Sequence, residues 1–165
     1  MTNLTAMTTK KIVIYAVLAV SATVLWCWTH SERAQIKRVF ASIEKIITKE
    51  RCESVIEGAG KAQSITKYFG DKCEVVALGY GIDVICSRDD ISGGVLAMRT
   101  NAARIGVRFE DLKISVDGNV AYVEGGIDFS GTDTAWHAQT PRYEKFFANL
   151  EKVNGQWLIK RIKQL

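Results

Sequence analysis

Apolar and polar positions fall into distinct regimes along the chain. From Ile12 to Trp28 no charged residue occurs, from Ile36 to Ile47 apolar residues recur at helical spacing, and beyond Cys73 many of them alternate with polar ones. At about 1.5 Å of rise per helical residue the uncharged run reaches about 26 Å, just short of a hydrocarbon core of about 30 Å. Lys10 and Lys11 snorkelling at one end, and Trp26 and Trp28 at the other interface, can close that gap. The run predicts one transmembrane anchor over 12–28, with a cytoplasmic tail over 1–11 before it and a single domain over 29–165 after it. A cleaved signal peptide stays open as the alternative, with Val20-Ser21-Ala22 as its processing site, although apolar residues continue through Val24, Leu25 and Trp26. The acid-free tail and its two lysines favour an N-terminus inside. The domain is then periplasmic or extracytoplasmic on a single-pass inner membrane protein, while Arg33, Lys37 and Arg38 pull the other way.

The soluble part opens on Thr29-His30-Ser31-Glu32, which fits a capping box with Thr29 as the cap. Ile36, Val39, Phe40, Ile43, Ile46 and Ile47 then give one apolar stripe on a helix that reaches about Glu50. A weaker helical region is interrupted by Gly58 and Gly60 and resumes from Lys61 to Phe69. Cys73 to Leu78 reads as a strand, Gly79-Tyr80-Gly81 as a turn, and Ile82 to Cys86 as the returning strand. Ser87 caps a further helix that carries Asp89 and Asp90 in its first turn and runs to about Ile105, with Gly93 and Gly94 allowing another backbone to approach. A meander follows. Leu112 to Val116 and Ala121 to Phe129 flank an Asp117-Gly118 turn, a polar loop covers Ser130 to about Arg142, and Tyr143 to Val153 and Gln156 to Leu165 flank Asn154-Gly155. With a tight two-residue turn there, Phe146, Ala148, Leu150, Trp157 and Ile159 share one face. Helices ahead of a sheet with one apolar face make this an α+β chain, a curved antiparallel sheet packed on N-terminal helices.

Charge narrows the partners. All 18 acidic residues and 20 of the 22 basic ones follow the apolar run, leaving the domain a formal charge of only +2. Groove or phosphate binding asks for a strong basic excess on one face, so no nucleic acid is expected. The two histidines, His30 and His137, lack metal-ligand spacing, and Gly79-Tyr80-Gly81 precedes a strand where a dinucleotide fingerprint must open a helix. No metal and no cofactor is implied. If the first hairpin turns about Gly79-Tyr80, Cys73 stands directly opposite Cys86 at bridging distance. A one-residue change in the turn separates them, and the bland alternative is a pair of small buried residues.

From about Glu32 onward the chain resembles the NTF2-like superfamily, also called SnoaL-like or ketosteroid-isomerase-like. The resemblance rests on the long first helix, the run Ser64-Ile65-Thr66-Lys67-Tyr68-Phe69-Gly70-Asp71-Lys72-Cys73-Glu74-Val75, the helix opening Ser87-Arg88-Asp89-Asp90-Ile91, and the ending Glu151-Lys152-Val153-Asn154-Gly155-Gln156-Trp157-Leu158-Ile159. It implies a cone with a ligand pocket between sheet and helices, where Phe40, Phe69, Leu96, Val123, Phe129, Phe146 and Trp157 are the candidate lining. In enzymatic members an aspartate or histidine in that pocket is a general base, often with a tyrosine stabilising an oxyanion.

The candidates for such chemistry are Asp128, Tyr122 and His137. Alternation puts Tyr122, Glu124 and Asp128 opposite Val123, Ile127 and Phe129, on a solvated outer face, unless a bulge at Gly125-Gly126 flips the phase. His137 lies in the polar loop beside Trp136. With no persuasive inward acid or base, the favoured expectation is a membrane-tethered, non-catalytic module that binds a protein partner or a small apolar ligand, resembling the VirB8-like scaffolds of bacterial secretion machines. The expected partners are the membrane, a second copy of the chain or another membrane protein. The alternative is an isomerase, dehydratase or hydrolase that uses the cone.

Overall fold

The computed structural model describes residues 31–50, 52–133 and 142–165. The anchor expected over 12–28, the proposed cap Thr29, and His30 and His137 lie outside them. Among the described residues no helix is long and apolar enough to cross a membrane. The chain divides into two compact units, Met1–Gln35 and Ile36–Leu165. Of the first, only residues 31–35 are described, as the opening of a helix.

That helix, α1 (Glu32–Ile47), is capped by Ser31, whose hydroxyl accepts the Ala34 amide at 3.3 Å. Its stripe is the expected one, with Ile36, Val39, Phe40, Ile43 and Ile46 buried. Each such side chain contributes about 1.5–3 kcal/mol by leaving water. The next helix, α2 (Val55–Ser64), runs straight through the two glycines that were expected to break it. Ser54 caps it through the Glu57 amide, and Glu57 pairs with Lys61 one turn on at 2.8 Å. A 3₁₀ turn, Ile65–Tyr68, leads into β1 (Phe69–Ala77), which returns as β2 (Ile82–Ser87). The following helix, α3 (Arg88–Asn101), opens on a full capping box between Ser87 and Asp90. It ends earlier than its apolar spacing suggested. From Ala102 the alternation of Ile105, Val107 and Phe109 with Arg104, Gly106 and Arg108 takes over, giving the long strand β3 (Ala102–Asp117). Nor does any backbone among the described residues approach Gly93 and Gly94, since a Cβ built on either would meet none of them within 4 Å.

The strands β4 (Val120–Asp133), β5 (Arg142–Val153) and β6 (Gln156–Gln164) complete one six-stranded sheet in the order β2-β1-β6-β5-β4-β3. Neighbours are antiparallel except β1 and β6, which pair in parallel. The sheet is therefore mixed, because no hairpin dictates the sense in which two strands so distant in sequence meet. Asn154 and Gly155 take φ of 51° and 82°, as a tight type I′ turn requires, and the five residues expected on one face are all buried. The earlier turn uses Gly118-Asn119, one residue later than expected, since Asp117 still pairs with Val120. The fold is α+β, a curved sheet packed on helices.

The two free edges of the sheet are treated differently. On β3 the backbone of Lys49 exchanges both hydrogen bonds with Ile105, at 2.8 and 3.1 Å, and Glu44 accepts the Phe109 amide at 3.0 Å. On β2 every residue but Cys86 is exposed, and nothing among the described residues pairs with its outer side.

Candidate functional site

Spacing of three and four residues sets Lys37, Phe40, Ala41 and Glu44 along one side of α1, facing Phe109, Asp111 and Leu112 of β3. Together they line an open groove of about 420 Å³. Its floor is aromatic. Phe40 meets Phe109 edge-on with centroids 5.2 Å apart, and Phe146 lies 5.7 and 5.5 Å from the two. Beneath this triad the interior is occupied by core side chains.

A bulge in β3 makes the rim of the groove. Glu110 pairs with Gly126 and Lys113 with Glu124, so Asp111 and Leu112 together face the single residue Gly125. Asp111 takes φ of 53°, a left-handed conformation that aspartate tolerates better than most residues and that leaves its carboxylate exposed at the rim. Leu112 turns inward into space that only glycine leaves free. A Cβ on Gly125 would come within 2.7 Å of the Leu112 side chain and 3.0 Å of the Glu110 carbonyl. Half-buried Glu44 spends one carboxylate oxygen on the Phe109 amide, which fixes α1 against the strand just before the bulge. The groove thus offers an apolar floor flanked by two carboxylates and, at Lys37, one cation. It can hold a small molecule with an apolar body and a polar end, and among the described residues the core beneath it is built of apolar side chains.

A second polar cluster lies at the ends of the helices. Arg99 and Glu53 are only 2% and 3% exposed and form a salt bridge. The Arg99 guanidinium also donates to the carbonyls of Ile46, of Ile47 at 2.9 Å and of Thr48 at 3.2 Å, satisfying the C-terminal end of α1. In return Lys49 donates to the carbonyls of Arg99 and Ala102 where α3 ends, at 2.5 and 2.6 Å. Gly58 lies beside the pair, where a Cβ would make ordinary contact with Glu53 Oε1 at 3.4 Å and Arg99 Nε at 3.8 Å. On the nearby surface of α2, the hydrogen bond from Lys61 holds the Glu57 carboxyl below its usual range and raises the Lys61 ammonium. This cluster ties the ends of α1 and α3 together.

Of the expected pocket lining, only Phe40 faces the groove. Phe146 stands under it, Phe69, Val123 and Trp157 are tightly buried in the core, and Phe129 packs in a smaller cluster with Ala102, Ile105 and Val107. Leu96 is 38% exposed on α3. Tyr122 lies on the outer face of the sheet, stacked on Phe147 at 6.1 Å. Asp128 shares that face, because the pairing of β4 with β5 runs unbroken from Val120 to Phe129 while Ile127 packs inward. The alternative of a bulge at Gly125-Gly126 is not realised on β4; the bulge sits on β3, opposite Gly125. Among the described residues no cluster of three or more metal-ligating side chains occurs. Sequence reading passed over Glu44, Asp111, Glu53 and Arg99, and local spacing does not mark Arg99, because the buried face of α3 carries Ser92 as well as Val95 beside it.

Cys73 and Cys86 face each other in register, as the hairpin predicted, although the connection spans Leu78–Tyr80 and Gly81 rather than two residues. Both are free thiols. Burial pushes the Cys73 thiol up to about 12, with the neighbouring Cys86 and Glu74 adding to the effect.

No protein-family model and no curated protein matches the chain. Solved structures do. An NTF2-like protein with a cystatin-like fold from Novosphingobium aromaticivorans aligns at TM-score 0.60 and 13% identity, over 89% of this chain and 86% of its own. A scytalone dehydratase-like protein of the same organism gives TM-score 0.63 at 18% identity over 81% and 82%. A hexachlorocyclohexane dehydrochlorinase from Novosphingobium barchaimii gives 0.62 at 12% over 81% and 84%. The fold is NTF2-like, the cystatin-like α+β architecture. That architecture hosts enzymes and binding proteins alike, so the site must carry the functional reading.

Proposed function

We propose that this chain is a membrane-tethered binding module. In this reading the run over 12–28 anchors an NTF2-like domain on the extracytoplasmic side of the cell membrane. The domain engages a protein partner in that membrane, or a small apolar ligand at the groove, without catalysis in its interior. The observation that carries the reading is the packing of the Phe40, Phe109 and Phe146 rings on one another over a core of apolar side chains. Homodimerisation through the outer sheet face is part of the proposal, supported by the stacked Tyr122 and Phe147 and by exposed Tyr143. The test is fractionation of cells expressing the full chain, followed by crosslinking in detergent-solubilised membranes. Retention in the membrane pellet after alkaline carbonate extraction and capture of one defined membrane partner, or a crosslinked dimer through Tyr143, are the expected results. A chain released by carbonate and crosslinking to nothing would end the proposal.

One observation favours a second reading. Glu44 and Asp111 flank an apolar floor, and the fold is shared with a dehydratase-like protein and a dehydrochlorinase. An enzyme working at the groove would lose turnover of its substrate in both Glu44→Gln and Asp111→Asn, while a binding module has no turnover to lose.

A further inference from the structure

We propose that Cys73 and Cys86 form a reversible cross-strand disulfide that fastens the exposed edge strand β2 to the core. Three observations carry it. The two residues are direct partners in the antiparallel ladder of β1 and β2, so both side chains stand on the same face. Directly opposed residues in such a ladder have Cα atoms about 4.5–5.5 Å apart, inside the range a disulfide spans. They also differ in access, since Cys73 belongs to the buried core and Cys86 is half-buried, the only residue of β2 that is not fully exposed.

Access fixes the order of the chemistry. With a low-molecular-weight disulfide such as oxidised glutathione as oxidant, the Cys86 thiolate attacks one glutathione sulfur and expels the other as a thiolate. Cys73 then gives up its proton to solvent and attacks the Cys86 sulfur, releasing the second glutathione. Two protein thiols are oxidised to one disulfide and the oxidant is reduced to two thiols. Cys73 is the resolving residue, because a buried thiol with its proton held tightly is a poor first nucleophile.

The structural consequence falls on β2. This strand hydrogen-bonds only to β1 among the described residues, and it hands the chain directly to the Ser87 cap of α3. A bridge at Cys86 therefore pins both the edge strand and the start of that helix. Cys52 is exposed and stands outside the pair.

The sequence suits a direct test. No Lys or Arg lies between Lys72 and Arg88, so trypsin leaves both cysteines in the peptide 73–88. The full chain in detergent is equilibrated with glutathione mixtures of rising oxidised fraction, quenched with iodoacetamide in denaturant, digested without reduction and weighed. The expected product is the peptide lighter by two hydrogens and carrying no alkyl group, increasing with the oxidised fraction and abolished by dithiothreitol. In Cys73→Ala the reaction should stop with one glutathione on Cys86, and in the oxidised wild type the amides of β2 should exchange more slowly than in the reduced protein. Peptide 73–88 doubly alkylated at the most oxidising ratio, or Cys86 joined to Cys52 instead, would overturn the assignment.

Discussion

Replacing Arg99 tests the buried pair most severely. The guanidinium serves the Glu53 carboxylate and the carbonyls of Ile46, Ile47 and Thr48 at the end of α1, and almost none of it reaches water. In Arg99→Met an apolar chain of similar length fills the space, so the loss is electrostatic and leaves buried Glu53 with only the partly exposed Lys61 ammonium, 3.7 Å from its other oxygen. Removing one member of a buried pair costs about 3–5 kcal/mol, because the remaining charge is uncompensated. With a urea dependence of about 2 kcal/mol per molar for a domain of this size, the unfolding midpoint should fall by roughly 2 M. The pair as a whole is a different matter. Glu53→Leu should cost about as much as Arg99→Met, yet the double variant should recover at least about 2 kcal/mol of their sum, since no charge is then stranded. Recovery stays incomplete because the three carbonyls still lack donors. The assay is urea denaturation of the full chain in detergent, followed by circular dichroism, for the wild type and all three variants. If the single costs add to within about 0.5 kcal/mol, the two side chains are not coupled and the account of this cluster is wrong.

Other substitutions probe the groove and the caps. Gly125→Ala should destabilise by about 1–3 kcal/mol in the same assay, since its Cβ meets Leu112, and Leu112→Ala introduced beside it should remove part of that cost. Asp111→Gly should stabilise by up to about 1 kcal/mol by relieving a left-handed conformation, and unchanged or lower stability would show that the Asp111 side chain contributes to the fold. Phe40→Ala should cost about 3–5 kcal/mol and open the floor of the groove, so that small aromatic molecules raise the melting temperature of the variant but not of the wild type. Hydrogen bonds from the Ser87 hydroxyl and amide lower the Asp90 carboxyl below its usual range. Their stabilisation is therefore present above the ordinary aspartate range and is lost as pH falls through the lowered value. Asp90→Asn should flatten that part of the acid limb in a pH series of melting curves, and an unchanged limb would remove the cap from the explanation.

Much of the scaffold could be read from local pattern. The stripe of α1 follows from 3.6-residue spacing, the last hairpin from Asn154-Gly155, and the facing of Cys73 and Cys86 from counting outward from a turn, because each depends on residues close together in the chain. The α2 helix shows the limit even there: two glycines weakened its local signal, while the Ser54 cap and the Glu57–Lys61 pair sustain it. Local pattern also put Tyr122 and Asp128 on the outer face, where the structure has them.

What only the tertiary structure decided involves residues brought together from afar. The parallel meeting of β1 with β6, the bulge at Asp111 accommodated by Gly125, and the reciprocal service of Arg99 and Lys49 at each other's helix ends leave no short-range trace. A buried charge is stable only with its partner in place, and a bulge is tolerated only where the facing strand leaves room, so neither can be inferred before the fold is known. The same holds for the groove. Helical spacing puts Phe40 on the stripe of α1 and a tight last turn puts Phe146 on the apolar face of the sheet, but only the fold brings Phe109 between them and leaves Glu44 and Asp111 at the rim of the groove.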